Sequence, residues 1–460
     1  MRDERDSPVP RTGPVTAVNL SAASRVSGHG AAAGAVADDG GRGLRFCMVT
    51  TFYPPYNFGG DGIGIQRLSQ ALVRRGHHVT VIHDEDSYLM LNGGREPATA
   101  APGDGVERVG LRSRMGRLTQ LLTHQTGRPV VHGAEIRRLI DNGRFDVINF
   151  HNISLVGGPG VLSAGSGLKV MTAHEHWLVC PSHVLWRHDR EPCTGRQCTR
   201  CVLAYRRPPQ LWRYTGYLER QLEHVDLFIA KSEFSRDKHR EFGFTRPMAV
   251  KPYFLPDDTA EVSAPAASPH DRPFYLFVGR LEKIKGLEDV IDAFRRFDGA
   301  DLLVAGTGTH EAALRERAAG MDNVRFLGRL NAEELAAHYA HALALVVPSV
   351  GFETFGIILI EAFRSGLPVV ARRLGPFPEI VERAQGGLLF STGDELVEAL
   401  HALARDRPYR EKLAANGVAA FREHWSESVV VPHYLRLLET AAERKGLART
   451  ARLLSNEVMS

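Results

Sequence analysis

Short apolar runs alternate with amphipathic stretches along most of the chain, and this alternation occurs twice. The first series predicts strands at 44–50, 79–83, 146–150, 168–172, 226–230 and 248–252. The second predicts strands at 274–278, 301–305, 323–327, 343–347, 368–371 and 387–390. Strands that alternate with helices form parallel sheets with helices on both faces. The sequence therefore predicts an α/β protein with two Rossmann-like, doubly wound domains that face each other across a cleft.

Helices are predicted between these strands. Those of the first series cover 64–75, 131–142, 211–223 and 232–241, and the basic stretch Leu111 to Pro129 is expected to be looser. Those of the second cover 287–297, 309–319, 332–340, 355–365, 376–383 and 392–404, followed by 408–423 and 427–445. The resulting domain plan is a disordered leader 1–43, an N-terminal domain 44–255 with a Cys-rich insertion 175–210, a linker 256–272, a C-terminal domain 273–425, a helix 426–446 that crosses back, and a loose tail 447–460.

Composition excludes several classes of protein. The net charge of +4 is small for 460 residues, so a nucleic-acid partner is not expected. No run approaches the ~18 apolar residues of a membrane span, and the leader contains no convincing signal-peptide core. We expect a cytoplasmic enzyme that could bind peripherally at the inner face of the membrane.

The segment Pro348 to Pro368 carries two carboxylates around a predicted helix start. Glu361 lies in a helix that is apolar on nearly all sides, where a carboxylate is costly to bury without hydrogen-bond donors. Glu353 lies just before that helix, where the backbone N–H groups of Phe355 and Gly356 are free. Two acceptor groups that bracket an anion-attracting helix start suit a ligand with hydroxyls at both ends and phosphates between.

Cations and glycines are expected at the same edge of the second sheet. Arg280 and Lys285 follow its first strand, where two cations could bind a diphosphate. Gly306, in Gly306-Thr-Gly308, ends the next strand and permits close backbone approach. Arg329 ends the strand after that, where the base would lie if the ligand were a nucleotide.

These motifs resemble the retaining glycosyltransferases of family 4, which have the GT-B fold. The matching residues are Gly279-Arg280-Leu281, Lys285-Gly286, Gly306-Thr-Gly308, Pro348-Ser349, Glu353 with Glu361, Phe355-Gly356 and Gly375-Pro-Phe-Pro-Glu379-Ile. The resemblance extends more weakly from Leu44 to about Ala442. It implies transfer of a sugar from a nucleoside diphosphate donor (a UDP- or GDP-sugar) to an acceptor hydroxyl, with retention of configuration and no metal in the chemistry. The sugar, the base and the acceptor stay open.

The resemblance also implies roles for individual residues. Glu361 would bind the ribose and Glu353 a hydroxyl of the transferred sugar, while Arg280 and Lys285 would neutralise the leaving diphosphate. His174 would lie beside the reacting sugar. The implied catalytic residues are His174, Arg280, Lys285 and Glu353, and the implied donor-binding residues are Gly59, Gly60, Arg280, Lys285, Gly306, Arg329, Glu353, Thr354, Phe355, Gly356 and Glu361.

Two other functions compete with this one. Gly60-x-Gly62-x-Gly64, with Asp84 after the next strand, imitates a dinucleotide-binding fingerprint and hence an NAD(P)-dependent enzyme. The loop before the first glycine is too long for the tight turn of that fingerprint. A non-catalytic scaffold stabilised by metal is the other alternative.

Asp84-Glu-Asp86 imitates a metal site, although a solvated strand end is the favoured interpretation.

Four cysteines are close together in the insertion that follows His174. Cys180, Cys193, Cys198 and Cys201 could supply the four thiolates of a structural zinc site. An iron–sulfur cluster is the alternative metal centre, and unligated or disulfide-linked cysteines also stay open. Cys47 stands apart in the first strand and is expected in the core.

Basic and aromatic residues mark the acceptor side of the N-terminal domain. Arg112, Arg114, Arg117 and Arg128 lie in the looser basic stretch, and Arg206 to Tyr214 adds further such residues. Together they could contact an anionic lipid surface or a phosphorylated acceptor, although a solvated face is the simpler interpretation.

Overall fold

A computed structural model describes residues 43–99, 102–257 and 267–459 of the protein. The predicted leader 1–43 lies outside the described residues except for Gly43. The predicted linker 256–272 is described only at its two ends.

The N-terminal domain is built on a seven-stranded parallel sheet. Its strands are β1 (Arg45–Thr50), β2 (His78–Asp84), β3 (Glu107–Leu111), β4 (Val147–Phe150), β5 (Leu168–Thr172), β8 (Leu227–Ala230) and β9 (Met248–Val250). Between β5 and β8, the strands β6 (Trp186–Arg187) and β7 (Glu191–Pro192) form a separate antiparallel hairpin. The order across the sheet is β3-β2-β1-β4-β5-β8-β9. Its helices are α1 (Gly60–Arg74), α2 (Glu85–Leu91), α3 (Arg117–Thr126), α4 (Gly133–Gly143), α5 (Cys198–Ala204), α6 (Tyr217–Leu222) and α7 (Glu233–Glu241).

The C-terminal domain has a six-stranded parallel sheet with the order β12-β11-β10-β13-β14-β15. Its strands are β10 (Phe274–Val278), β11 (Asp301–Ala305), β12 (Val324–Gly328), β13 (Leu345–Val347), β14 (Val369–Arg372) and β15 (Gly387–Phe390). Its helices are α8 (Leu287–Phe294), α9 (Glu311–Arg317), α10 (Ala332–His341), α11 (Ile357–Arg364), α12 (Phe377–Ala384), α13 (Gly393–Arg405) and α14 (Arg407–His424). The chain ends with α15 (Glu427–Lys445) and α16 (Ala448–Met459).

The last two helices belong to the N-terminal domain by packing. Val431, Tyr434 and Leu438 of α15 are buried in the same apolar cluster as Phe46 of β1 and Leu68 of α1. Although a loose tail was expected after Lys445, α16 continues this cover and buries Leu454 completely. The tail orders because its apolar side chains lie at helical spacing and α15 offers them a surface.

The chain crosses between the domains at two adjacent places. Leu255 donates its N–H to the carbonyl of Trp425 at 3.1 Å, and the N–H of Glu427 donates to the carbonyl of Leu255 at 3.0 Å. Glu427 also pairs with Arg74 and Arg75 at the end of α1, at 2.5 and 3.3 Å. The two crossings therefore run side by side and are joined by backbone hydrogen bonds.

The predicted elements differ from the structure mainly around α1 and α3. Helix α1 begins four residues earlier than expected because its glycines are packing positions. A methyl group on Gly62 would lie 2.2 Å from Asn57 Oδ1, and one on Gly64 would lie 2.3 Å from the Tyr253 ring. These two glycines therefore serve close packing against Asn57 and Tyr253.

The N-terminal domain also contains elements that the sequence pattern did not predict. Strand β3 and helices α2 and α3 were not expected, and α3 orders half of the stretch predicted to be loose. The helix predicted at 211–223 is instead a 3-10 turn, Leu211–Tyr214, followed by α6. Gly216 separates the two with a φ of 68°, a backbone conformation that interrupts a helix.

Candidate active site

The two domains present their strand-order reversals to one gap. The order reverses between β1 and β4 in the N-terminal sheet and between β10 and β13 in the C-terminal sheet. Doubly wound sheets bind ligands beyond the carboxyl ends of the strands at such points. A methyl group on Gly60, after β1, would lie 3.8 Å from Ile357 Cγ2, after β13. The two reversal points therefore border the same cleft.

Two helix N-termini point into this gap. Helix α1 follows Gly59 and α11 follows Gly356, and neither cap residue supplies a side-chain hydrogen bond to the first turn. The first backbone N–H groups of such helices lack backbone partners within the helix and carry the positive end of the helix dipole. In α1 the Asp61 carboxylate accepts from the N–H groups of Asp61 and Gly62. Gly356 has a φ of 104°, and a methyl group there would lie 2.8 Å from the Phe377 ring. The loop thus needs glycine to present these N–H groups, which suit an anion.

Glu353 forms an ion pair at the mouth of the gap. Lys285 Nζ lies 2.5 Å from Glu353 Oε1, and Ser349 Oγ donates to the same oxygen at 3.1 Å. Burial alone would raise the pKa of Glu353, but Lys285, Ser349 and Arg280 together hold that pKa below its usual value. Glu353 is therefore an ionised hydrogen-bond acceptor that two cations face.

Glu361 meets the N-terminal domain across the cleft. Arg67 of α1 lies 3.5 Å from Glu361 Oε1, and 28% of the Glu361 side chain is exposed. Burial raises the pKa of Glu361, although Arg67 and Arg364 oppose this shift. The hydroxyl of Tyr339, which lies near Glu361, is buried and has no hydrogen-bond partner among the described residues. The Tyr339 hydroxyl thus has hydrogen-bonding capacity that the described protein groups leave unfilled.

The glycines after β10 and β11 bring two backbone segments into contact. Gly306 has a φ of 140°, and a methyl group there would lie 1.9 Å from the carbonyl oxygen of Gly279. A side chain at this position would push away the loop that carries Arg280. Arg280 is exposed at the cleft end of β10, while Arg329 is exposed after the edge strand β12. Arg329 is thus the most peripheral of the predicted donor-binding residues.

The backbone of His174 contacts the C-terminal domain. Its carbonyl oxygen accepts a hydrogen bond from Thr354 Oγ1 at 2.9 Å, and Ser232 Oγ donates to the Thr354 carbonyl at 2.7 Å. Both nitrogens of its ring are engaged within the N-terminal domain: Nδ1 lies 2.5 Å from Tyr253 Oη and Nε2 lies 2.8 Å from His151 Nδ1. Burial and the nearby Lys231 hold the pKa of His174 well below its usual value. The ring is therefore neutral and braced.

The sequence reasoning missed several residues that line the gap. Arg67, Asp61 and Ser232 sit on the N-terminal side, and Asn152 Nδ2 donates to Asp61 Oδ2 at 3.4 Å. His151 directly follows β4, and His174 follows β5 after one residue, so a histidine near each strand end was a usable signal. Arg67 carried none, because its partner Glu361 is distant in the sequence.

The four insertion cysteines surround one small cavity. All of them line a space of about 20 Å³, and all five cysteines of the protein are free thiols. Within the described parts of the chain, only Asp84, Asp86 and His132 bring three possible metal-ligating atoms within 4.8 Å of one another. The four sulfurs are therefore further apart than they would be around a bound metal ion.

The Asp84–Asp86 pair has a structural role. The expectation of a solvated strand end is wrong, because both carboxylates are buried. Asp84 caps α2 by accepting from Ser87 N at 3.1 Å, and Asp86 accepts from Ser113 N at 2.9 Å. These backbone donors account for the burial without a metal ion.

Comparisons with known proteins agree with this architecture. The family description "Glycosyltransferase Family 4" matches residues 58–254, and "Glycosyl transferases group 1" matches residues 258–419. A phosphatidyl-myo-inositol mannosyltransferase of Mycobacterium leprae is 30% identical over 324 residues, which is 68% of this chain and 78% of that protein. A glycogen synthase of Mycobacterium tuberculosis is 27% identical over 392 residues, or 75% of this chain and 82% of that protein.

Solved structures share the fold at lower identity. Sucrose-phosphate synthase from Thermosynechococcus elongatus superposes with a TM-score of 0.64 at 20% identity, covering 88% of this chain and 100% of its own. HepE from Anabaena, in complex with UDP, gives 0.58 at 16% identity, covering 86% and 100%. The predicted fold of two Rossmann-like domains is confirmed. Together with the M. leprae relative and the two matched domains, these findings show that the chain belongs to the family 4 glycosyltransferases of GT-B fold, which transfer a sugar from a nucleotide-sugar donor.

Proposed function

We propose that this enzyme transfers a sugar with retention of anomeric configuration and without a metal ion in the chemistry. In this proposal Arg280 and Lys285 bind the donor diphosphate, Glu353 accepts from a hydroxyl of the sugar, and Glu361 accepts from the ribose. The proposed donor-binding set also includes Gly59, Gly60, Gly306, Arg329, Thr354, Phe355 and Gly356. His174 completes the sugar-facing wall.

The observation that carries the proposal is the Lys285–Glu353 pair opposite two uncapped helix starts. A cation and an ionised carboxylate 2.5 Å apart can bind a phosphate and a hydroxyl that are neighbours in one ligand. The N–H groups of α11, which has no acidic residue in its first turn, add positive potential. A sugar diphosphate presents these groups in the required order.

The chemistry follows from these positions. The bond between the anomeric carbon and the diphosphate breaks, and Arg280, Lys285 and the helix starts stabilise the charge on the departing oxygen. The acceptor oxygen forms the new bond on the same face, and its proton passes to the leaving phosphate. Closure at the paired crossings near Leu255 and Trp425 would exclude water and limit donor hydrolysis.

The nucleotide can be identified by thermal shift with UDP, GDP, ADP and dTDP. A ligand that binds only the folded state stabilises it by RT ln(1 + L/Kd) at free ligand concentration L, so at one concentration the tightest ligand raises the unfolding temperature most. The expected result is a shift with one diphosphate, with UDP favoured because solved relatives of this fold bind UDP and UDP-glucose. The matching sugar donor should then release nucleotide without added divalent cation, and product NMR should show the donor's anomeric configuration. Inversion would refute retention, and a shift with NAD(P) alone would refute the donor site.

In the N-terminal domain, helix α3 buries polar side chains and exposes apolar ones. On α3, Thr119 and Thr123 are buried, whereas Leu118 and Leu121 are 47% and 48% exposed. Arg114 and Arg117 are exposed beside them. No helix within the described residues is long and apolar enough to cross a membrane. We propose that this face contacts an anionic lipid surface, where leucines insert and arginines meet phosphates.

Replacing Leu118 and Leu121 together by serine should abolish binding to vesicles that contain phosphatidylglycerol. The physical reason is that these side chains supply the apolar area while the arginines supply only attraction to the surface. Sedimentation with anionic and neutral vesicles measures the effect. Val429→Ser, at another exposed apolar position (37% exposed), is the matched control and should leave binding unchanged. Equal sedimentation of the double variant and the parent protein would contradict the proposal.

A further inference from the structure

The Cys-rich insertion touches the loop that carries Glu353. Cys180 and Leu185 of the insertion form a small apolar cluster with Phe242 of the N-terminal domain, and Phe352 packs against it. A methyl group on Gly351 would lie 3.6 Å from the Trp186 ring. The residue directly before Glu353 therefore rests on the insertion, so the position of this carboxylate depends on how well the insertion is ordered.

The insertion has little of its own to order it. It contains the two-residue strands β6 and β7 and the short helix α5, and no disulfide joins its cysteines. Four non-glycine residues adopt left-handed backbone conformations within seven positions, namely His183, Leu185, His188 and Asp189. Such conformations are costly and persist only where the surroundings impose them. A segment of this size with so small a core needs a further constraint.

The four cysteines provide the means for one. Cys180 precedes the hairpin, Cys193 follows it, and Cys198 and Cys201 lie on one face of α5 because they are three residues apart. All four side chains line the same cavity of about 20 Å³. That volume is enough for one water-sized occupant. The chain thus brings thiols from three separate places to a space that fits a single ion.

Hydroxyl or N–H groups lie beside two of the sulfurs. The backbone N–H of His188 donates to Cys201 Sγ at 3.3 Å, and Ser182 Oγ lies 3.2 Å from Cys180 Sγ. Hydrogen bonds of this kind orient and stabilise metal-bound sulfur. The thiols of Cys193 and Cys201 also donate to the carbonyl oxygens of Gly195 and Trp186, at 3.3 and 3.9 Å, and would give up these contacts on binding a metal ion. Three cations, Arg187, Arg196 and Arg213, lie near enough to interact electrostatically with the cysteines. They would offset the negative charge of a four-thiolate site.

We propose that Cys180, Cys193, Cys198 and Cys201 bind one Zn²⁺ ion, which orders the insertion and thereby holds the Glu353 loop in place. Binding releases four thiol protons and places the ion about 2.3 Å from each sulfur in tetrahedral geometry. No three of these four sulfurs lie within 4.8 Å of one another, so the ion would draw them together into the cavity that they line. The ion takes no part in sugar transfer. The metal site itself does not depend on the proposed function. Only the expected effect of zinc on the Glu353 loop rests on that function.

The test measures zinc in full-length protein purified without chelator, together with intact mass and the thiol count after unfolding. The expected result is about one zinc per chain and five free thiols. Cys198→Ser should lower the zinc content at least fivefold, whereas Cys47→Ala, at the buried cysteine of β1, should not change it. Less than a tenth of a zinc per chain, a mass lower by two hydrogens, or an iron–sulfur chromophore would each overturn the proposal.

A second measurement avoids dependence on how the variant folds. Removing zinc from the parent protein with a strong chelator should make the insertion sensitive to trypsin and weaken UDP binding at least fivefold. Re-addition of Zn²⁺ should reverse both effects, while Mg²⁺ should not. Unchanged proteolysis and UDP binding would overturn the positioning role. Stoichiometric zinc in a protein that binds no nucleotide would refute the proposed function and leave the metal site standing.

Discussion

Replacing Lys285 by alanine should lower kcat for sugar transfer by roughly 100- to 1,000-fold, the usual effect of removing one group that stabilises transition-state charge. Lys285 Nζ lies 2.5 Å from Glu353 Oε1, so the change also leaves that carboxylate without its cation. Because burial raises the pKa of Glu353 and Lys285 holds it down, the pKa of Glu353 should rise in the variant. The decrease in kcat should therefore be greatest at low pH. Nucleotide release from the donor, followed over a range of pH, measures both effects.

Lys283→Ala is the matched control for this experiment. Lys283 lies in the same 3-10 turn, Lys283–Lys285, but its side chain is exposed. It should retain kcat within about twofold, since exposed surface substitutions change little. If Lys285→Ala retained normal kcat, or if both variants lost activity equally, the assignment of Lys285 to the leaving diphosphate would be wrong.

The sheets and the C-terminal half of the site could be predicted because they depend on local patterns. Apolar runs locate buried parallel strands, and β5, β10, β11 and β15 begin and end where the pattern predicts. Residues after such strands lie at one edge of the sheet, which brought Lys285 and Glu353 together without knowledge of the fold. Helix α3 could not be predicted in this way, because its leucines face outward and its threonines face inward.

Contacts across the cleft carry no local signal. Arg67 meets Glu361, and Ser232 meets Thr354, only because the two domains close on each other. The hydrogen-bond partners of the His174 ring also carry no local signal in the sequence. The side chains of His151 and Tyr253 engage both ring nitrogens, and these partners come from two other strand ends. Sequence reasoning therefore selects the proposed donor-binding residues and misses the groups that contact them from the other domain.

Replacing Glu361 by alanine should weaken nucleotide diphosphate binding by roughly 10- to 100-fold, since a hydrogen bond to a charged group contributes about 1.5–3 kcal/mol. The loss should appear in Kd for the free diphosphate, because the ribose is bound equally before and during transfer, and kcat at saturating donor should change little. Calorimetric titration with the nucleotide that gives the thermal shift measures Kd. Glu382→Ala, at a glutamate of α12 that pairs with exposed Arg373, is the control and should leave Kd unchanged.

The contact between Arg67 and Glu361 separates two explanations of such a loss. If Glu361 acts only by holding the domains together through Arg67, then Arg67→Ala should weaken nucleotide binding as much as Glu361→Ala does. If Glu361 binds the ribose itself, Arg67→Ala should change Kd by less than about threefold, because the half-buried pair is 3.5 Å apart, longer than the roughly 2.7–2.9 Å of a strong charge-assisted hydrogen bond. We expect the second result. Equal losses in the two variants would instead assign Glu361 to closure of the cleft.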